Sequence, residues 1–348
     1  MPERWLDSGV AALRAEVCQV QTTREETVLL FGRQLPKGRA QLERRIILTP
    51  ALAKQLAGGL AAIVREHEAQ LNATPAGAIT SQARDADVPA GARPVLAAVR
   101  GLGAGFGFEK SVKLAAGKLH TDRVIFGVRA AAAPRAGLLA GCRALGMPEG
   151  PLGELEAQLG EANTVGFGYE GGTYKVYLEF WDRLRARLRR EPSNLAPALL
   201  FLGWKWPVRD PGRCALARYT CHPLLTIEGI ARRLDALYEG GDGASQQAAQ
   251  EILRLAAGRL RNDSFVYVEA EEQGNPRKSF DLNFYKARLT VEELRPALAP
   301  LARRYAIGAA ELKKALGPAL ERPFGHLSGG LGRDGGDFLT VYYEIEGI

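Results

Sequence analysis

The chain has 348 residues, 46% apolar and 24% charged, with 46 Lys and Arg against 39 Asp and Glu for a net charge of +7. This length and apolar share exclude a largely disordered chain and suit either one large closed architecture or two domains. The charge excess is mild and dispersed, which reads as solvated surface, and four cysteines without a CxxC pair exclude a disulfide scaffold.

The first segment, EVCQVQTTREETVLLFGRQ, has strand character; PKGRAQ follows as a turn and ERRIILTP as a second strand. A helix then begins at Thr49, a good N-cap with Pro50 behind it, and Leu52, Leu56, Leu60 and Ile63 keep a helical stripe to about Asn72. Residues 1–75 thus read as a small β-β-α unit. The VLLFGRQ strand, the RRIILTPALAKQLAGGLA join and the trailing EHEAQ resemble a short bacterial domain of unknown function, which implies an interaction unit with a possible protein partner and no catalytic residue.

Residues 76–100, rich in Ala, Pro and Gly at their start, read as a linker or boundary, and the barrel described next spans 101–348. PVLAAVRGLGAGFGF reads as a helix followed by a glycine-rich loop, HTDRVIFGVRA as a strand, and APRAGLLAGCRALG as a helix. GLGAGFGFEKS lacks the GxxxxGK[ST] spacing of a phosphate cradle and reads as a connector.

From Asn163 the pattern becomes regular, with aromatic or β-branched hairpins alternating with runs of helical period. TVGFGYEGGTYKVYLEF precedes WDRLRARLRRE. ALLFLGWKWPVRDPGRCALARYT precedes two helical runs, and so does DSFVYVEAEEQGNPRKSFDLNFY, whose next helix starts at a Thr290/Glu293 capping box. FGHLSGGLGRDGGDFLTVYYEIEG closes the series. One such unit cannot bury its own apolar face, so the hairpins share one sheet, and closing that sheet removes its edges. The fold class is therefore α/β in the α+β sense, an antiparallel barrel of repeated hairpins with helices outside.

Alternation assigns the faces. Tyr174, Val176, Leu178 and Phe180 pack under helices and leave Lys175, Tyr177 and Glu179 opposite. Phe280, Leu282 and Phe284 leave Ser279, Asp281, Asn283 and Tyr285; Leu339, Val341 and Tyr343 leave Thr340, Tyr342 and Glu344. Either one face is simply wet, or it lines a lumen that holds a ligand. Trp204 and Trp206 would plug such a lumen if they pointed inward.

The K-V-Y strand at Lys175 to Tyr177, the polar residues of FDLNFY and the closing LTVYYE strand resemble the aromatic prenyltransferase barrels, in which repeated α-β-β-α units enclose the active site. The resemblance implies transfer of an isoprenyl group from a diphosphate to an aromatic ring. By position, Lys175, Tyr177, Lys205, Arg218, Tyr285 and Tyr342 would hold the diphosphate, Glu179 or Glu344 would take the ring proton as the catalytic base, and Asp281, Asn283 and His326 would contact the ligand, His326 at the rim. Because Glu179, Asp281 and Glu344 share this face, a polyanion is tolerated there only if each carboxylate is paired.

No cofactor or metal is expected. The four histidines His67, His120, His222 and His326 form no HxxxH or HExxH, and Cys214 and Cys221 beside His222 read as buried small hydrophobes. RLRARLRR reads as a solvated helix on the exterior, and no nucleic-acid-binding signature accompanies it. The N-terminus carries no signal-peptide pattern and no apolar run reaches bilayer length, so no membrane span is expected and the cytoplasm is the expected location. The alternative to ligand binding is a non-catalytic scaffold or assembly factor with a filled barrel.

Overall fold

The computed structural model describes residues 17–22, 26–35, 39–58, 83–191, 194–239, 243–260 and 265–346. The chain divides into two compact units, Met1–Ala73 and Thr74–Ile348.

In the first unit β1 (Val17–Thr22), β2 (Thr27–Leu35) and β3 (Arg39–Leu48) form an antiparallel sheet in that order. The segment expected to be one strand is therefore two, folded back so that Thr22 pairs with Thr27. Residues 50–58 are helical, and the Thr49 hydroxyl accepts from the Leu52 amide at 3.3 Å, the expected cap. Leu60, Ile63 and the stripe to Asn72 lie outside the described residues.

The second unit is built on β4 (Phe106–Ala115), β5 (Lys118–His120), β6 (Arg123–Arg129), β7 (Thr164–Glu170), β8 (Thr173–Glu179), β9 (Ala198–Pro207), β10 (Ala215–His222), β11 (Val266–Glu272), β12 (Lys278–Asn283), β13 (Phe324–Leu331) and β14 (Asp337–Glu346). Each strand pairs antiparallel with the next, except that β4 pairs directly with β6 and β5 only prolongs the turn between them. β14 returns to pair with β4 from Phe338/Ala115 to Glu346/Phe108, so ten strands close into a barrel. The glycine-rich segment expected as a connector is half strand: Phe106, Phe108, Val112 and Leu114 alternate outward, and β4 supplies the closing partner.

Hairpin turns gather at one end of the barrel. Gly171 and Gly172 take φ of +47° and +86°, the mirror-image turn that follows strand twist and that residues with a Cβ resist. Helices join the other end, and all those described but α4 pack along the outside: α1 (Arg93–Arg100), α2 (Arg135–Ala144), α3 (Glu149–Leu159), α4 (Trp181–Arg190), α5 (Ile227–Leu237), α6 (Ala244–Ala257), α7 (Arg295–Arg304) and α8 (Ala309–Leu316). Leu96, Val99, Leu138 and Leu155 bury Phe108, Phe126, Phe167 and Trp204 on one side. Ile252, Leu253, Leu298 and Leu301 bury Phe280, Leu282, Leu339 and Val341 on the other. Residues 83–100 pack into the first of these layers through Ala83, Val88, Ala92 and Val95.

A third apolar cluster lies inside the barrel. Cys221 and Val268 face inward at the end away from the hairpin turns, where Leu184 of α4 reaches them together with Leu200. α4 was expected on the exterior as a solvated arginine helix. Instead its Trp181, Leu184 and Leu188 floor the barrel, while Arg183, Arg189 and Arg190 stay in solvent.

Ten strands enclose more room than the eight whose interior side chains just fill. The two sheet faces should therefore respond differently to truncation. Phe167→Ala, under the helices, is expected to lower the unfolding free energy by about 3–5 kcal/mol. Tyr177→Ala, on the inner face, should cost less, about 2 kcal/mol, because its side chain is only part-buried; urea denaturation of the two variants measures the contrast.

Candidate active site in the barrel lumen

The inner face carries its charges at two separate levels. On β8 Lys175 stands near the hairpin turns and Glu179 four residues on; Lys113 and Glu109 on β4 repeat that order, and so do Arg277 and Asp281 entering β12. Four residues of strand span about 13 Å. The basic level therefore lies at the hairpin end and the acidic level toward the α4 floor, so carboxylates that alternation could only place on one face do not share one place.

At the basic level, among the described residues, six cations pair with two carboxylates, and Asp334 adds a nearby negative charge to Lys113. Glu170 on β7 pairs with Arg123, Lys175 and, at 4.0 Å, Lys113. Glu272 on β11 pairs with Lys205 at 3.8 Å, Arg277 at 3.5 Å, and Arg333. Lys113 also lies over the Phe338 ring at 4.3 Å, and Arg277 donates to Ser279 at 3.2 Å. Burial first, and then repulsion from Arg123, Arg277 and neighbouring lysines, hold the Lys175 and Lys205 ammonium groups well below the usual lysine range. The same causes bring Lys113 down to about 8. An anion of several charges would relieve such crowding.

Between the levels sits an aromatic collar. Tyr177 and Tyr219 meet edge-on with centroids 6.0 Å apart, and Phe201 stands 5.9 Å from Tyr219. Burial pushes the Tyr219 phenol up to about 12 and the Tyr177 phenol well above its usual range, so both remain protonated donors. A Cβ added at Gly203 would lie 2.7 Å from the Tyr177 ring, which packs flat on that backbone. Beside Tyr177 on the neighbouring strands, Gly166 pairs with Gly127 and Gly127 with Gly107, and a Cβ at Gly166 would lie 3.4 Å from both Tyr177 and Ile125.

At the acidic level His326 Nδ1 lies 2.8 Å from Asp281 and Nε2 lies 3.3 Å from Glu109. The imidazole stacks on Tyr342, centroids 3.8 Å apart and planes 13° from parallel. Tyr342 accepts from Arg123 at 3.3 Å and from Ser328 at 3.4 Å, tying the two levels together. Glu109 Oε1 is buried without a hydrogen-bond partner among the described residues. Glu179 accepts from Trp181 Nε1 at 2.8 Å; burial, despite that bond and aided by Glu109 and Asp281, pushes its carboxyl up to about 7.

The sequence-derived residues divide accordingly. Lys175, Tyr177, Glu179, Lys205, Asp281, Asn283, His326 and Tyr342 occupy inward positions on the barrel wall. His326 lies deep in the lumen rather than at the rim, because it belongs to β13. Arg218 is exposed on the outer face, one residue out of phase with Tyr219, which takes the inward place. Tyr285 falls in a 3-10 turn beyond β12, its hydroxyl against Gly325, because the strand ends at Asn283. Glu344 stands opposite Glu109 in register, and its side chain lies outside what is described. Trp204 and Trp206 point outward, Trp206 Nε1 donating to the Leu145 carbonyl at 3.0 Å, so neither plugs the lumen. Of the residues the sequence reading missed, Glu109 and Lys113 carry the same period-2 signal as β8, hidden by the glycines before them; Arg123 and Arg277 stand at strand edges where alternation gives no face.

Glu179 supplies a stability test. Its folded-state carboxyl is raised from 4.5 to about 7, so the unfolded chain releases its proton first and stability falls as pH climbs from about 4.5 to 7. Glu179→Gln should remove that decline, leaving the variant more stable than wild type at pH 8 by roughly 2–3 kcal/mol and close to it at pH 4; denaturation series across pH measure this.

Residues 3–73 match a family described as "Protein of unknown function (DUF3467)". No curated protein matches the chain. Similar solved structures include the 6-dimethylallyltryptophan synthase of Micromonospora olivasterospora in complex with DMASPP and Trp, 16% identical with a TM-score of 0.45, covering 68% of this chain and 81% of that one. The 5-dimethylallyl tryptophan synthase of Streptomyces coelicolor, with the same ligands, is 19% identical with a TM-score of 0.46 over 68% and 78%. Prenyltransferase PriB, in ternary complex with L-tryptophan and dimethylallyl thiolodiphosphate, is 17% identical with a TM-score of 0.47 over 79% and 94%. The strand circuit of the second unit establishes its barrel independently of these likenesses.

Proposed function

We propose that the barrel transfers an allylic prenyl group from a diphosphate to an electron-rich aromatic ring. The observation that carries this reading is the ordering of the lumen: a cationic level, an aromatic collar, then a level of carboxylates. A diphosphate leaving group needs several fixed cations, and Lys113, Arg123, Lys175, Lys205 and Arg277 would supply them. The carbon–oxygen bond breaks with its electron pair leaving on the diphosphate, and Tyr177, Tyr219 and Phe201 would face the allylic cation and exclude water. The acceptor ring carbon bonds to that cation, and its displaced proton passes to a carboxylate. Glu109 suits this step better than Glu179, because its Oε1 has no partner among the described residues while Glu179 is bonded to Trp181.

For the N-terminal unit, contact with a protein partner is supported by Val20, Leu42, Ile46, Ile47, Leu52 and Leu56, six of the nine exposed large apolar side chains among the described residues. Ile46 and Ile47 are neighbours on β3, so they expose opposite faces of its sheet.

Incubation with dimethylallyl and geranyl diphosphates and a panel of indoles, phenols and naphthols, read by mass spectrometry, is expected to yield prenylated acceptor plus diphosphate. Arg277→Gln should slow product formation by about 100-fold or more, and Glu109→Gln by about 10²–10⁴-fold with substrate binding retained. Absence of product for every pair, together with no binding of inorganic pyrophosphate, would overturn the reading.

A further inference from the structure

Both ring nitrogens of His326 face carboxylates on different strands, Asp281 of β12 at 2.8 Å and Glu109 of β4 at 3.3 Å. A neutral imidazole has one donor and one acceptor nitrogen, and would set a lone pair against one of these oxygens. Two donors satisfy both. The ring plane is fixed by its stack on Tyr342 of β14, and Glu179 of β8 adds a third carboxyl to the surroundings. Burial alone would pull the imidazole down, yet Asp281 and Glu109 outweigh it and hold His326 well above its ordinary value. The imidazole lies between its two carboxylates, so they do not converge on one point, and no metal-holding group of three or more His, Cys, Asp or Glu occurs among the described residues.

We propose that His326 is a positioning residue: an imidazolium, clamped by Asp281 and stacked on Tyr342, that holds Glu109 through Oε2 and leaves Oε1 as an acceptor for a donor group on the aromatic substrate. Being protonated on both nitrogens, His326 has no lone pair with which to act as a base. It supplies the positive charge that lets Glu109 sit buried near Asp281 and Glu179. The role of Glu109 rests on the prenyl-transfer reading, whereas the charge and anchoring of His326 do not.

Histidine-selective ¹⁵N labelling of the full chain tests this without any substrate. The resonances that vanish in His326→Asn assign the ring. In wild type it is expected to stay imidazolium well above the ordinary value near 6.5, and Glu109→Gln and Asp281→Asn should each lower that limit measurably. Titration of wild-type His326 near 6.5, or a limit that neither variant moves, would overturn the proposal; the wild-type titration suffices if a variant does not fold. Where prenyl transfer is observed, His326→Asn should move the acidic limb of the pH–rate profile upward by about one unit or more, with His326→Lys restoring part of it, and an unmoved limb would sink the link to Glu109. A high His326 limit with no prenylated product would leave the clamp standing and remove the reading of the activity.

Discussion

Everything on the inner wall depends on the pairing of β14 with β4. Without that ladder, running from Phe338/Ala115 to Glu346/Phe108, the ten strands would form an open sheet with two free edges. Closure also brings together groups more than 200 positions apart in the chain. Tyr342 meets Arg123, and His326 meets Glu109, only because the last hairpin lies beside the first strand. The helices contribute indirectly, by covering the apolar outer face so that closure is worth its conformational cost.

The inner wall is expensive to build. Buried lysines and arginines lose hydration, and pairing recovers part of it only where a carboxylate is near. Glu170 and Glu272 each serve three cations, so among the described ion pairs cations outnumber carboxylates. A scaffold with a filled barrel gains nothing from such an arrangement, since apolar side chains of similar volume would stabilise it more. Tyr177, Lys175 and Asp281 are part-exposed on the inner wall, and both tryptophans turn outward into the helix layer.

How much of this was legible beforehand depended on alternation. In β8, β12 and β14 a strict period of two separates core residues from lumen residues, and the inward set of Lys175, Tyr177, Asp281, Asn283 and Tyr342 followed from it. Arg218 was assigned out of phase, and the alternation used for Tyr285 stops before reaching it. A one-residue error sends a side chain through the wall, and a strand that stops at Asn283 no longer alternates at Tyr285. Glu109 was hidden because glycines, which weaken strand propensity, surround the Phe106 to Glu109 stretch. The separation of charges into two levels was unreadable, because face is a local property of a strand whereas height in a barrel is set by the register among all ten.

That separation has a consequence for movement within the lumen. Fixed cations at one end and carboxylates at the other produce an electric field along the barrel axis, strong because the surroundings are poorly screening. A small cation released near the tyrosines would be driven toward Glu109 and Asp281, and its anionic counterpart held back among the arginines and lysines. The barrel would thus oppose the recombination of a separated ion pair by the direction of its field, with no part of the fold having to move.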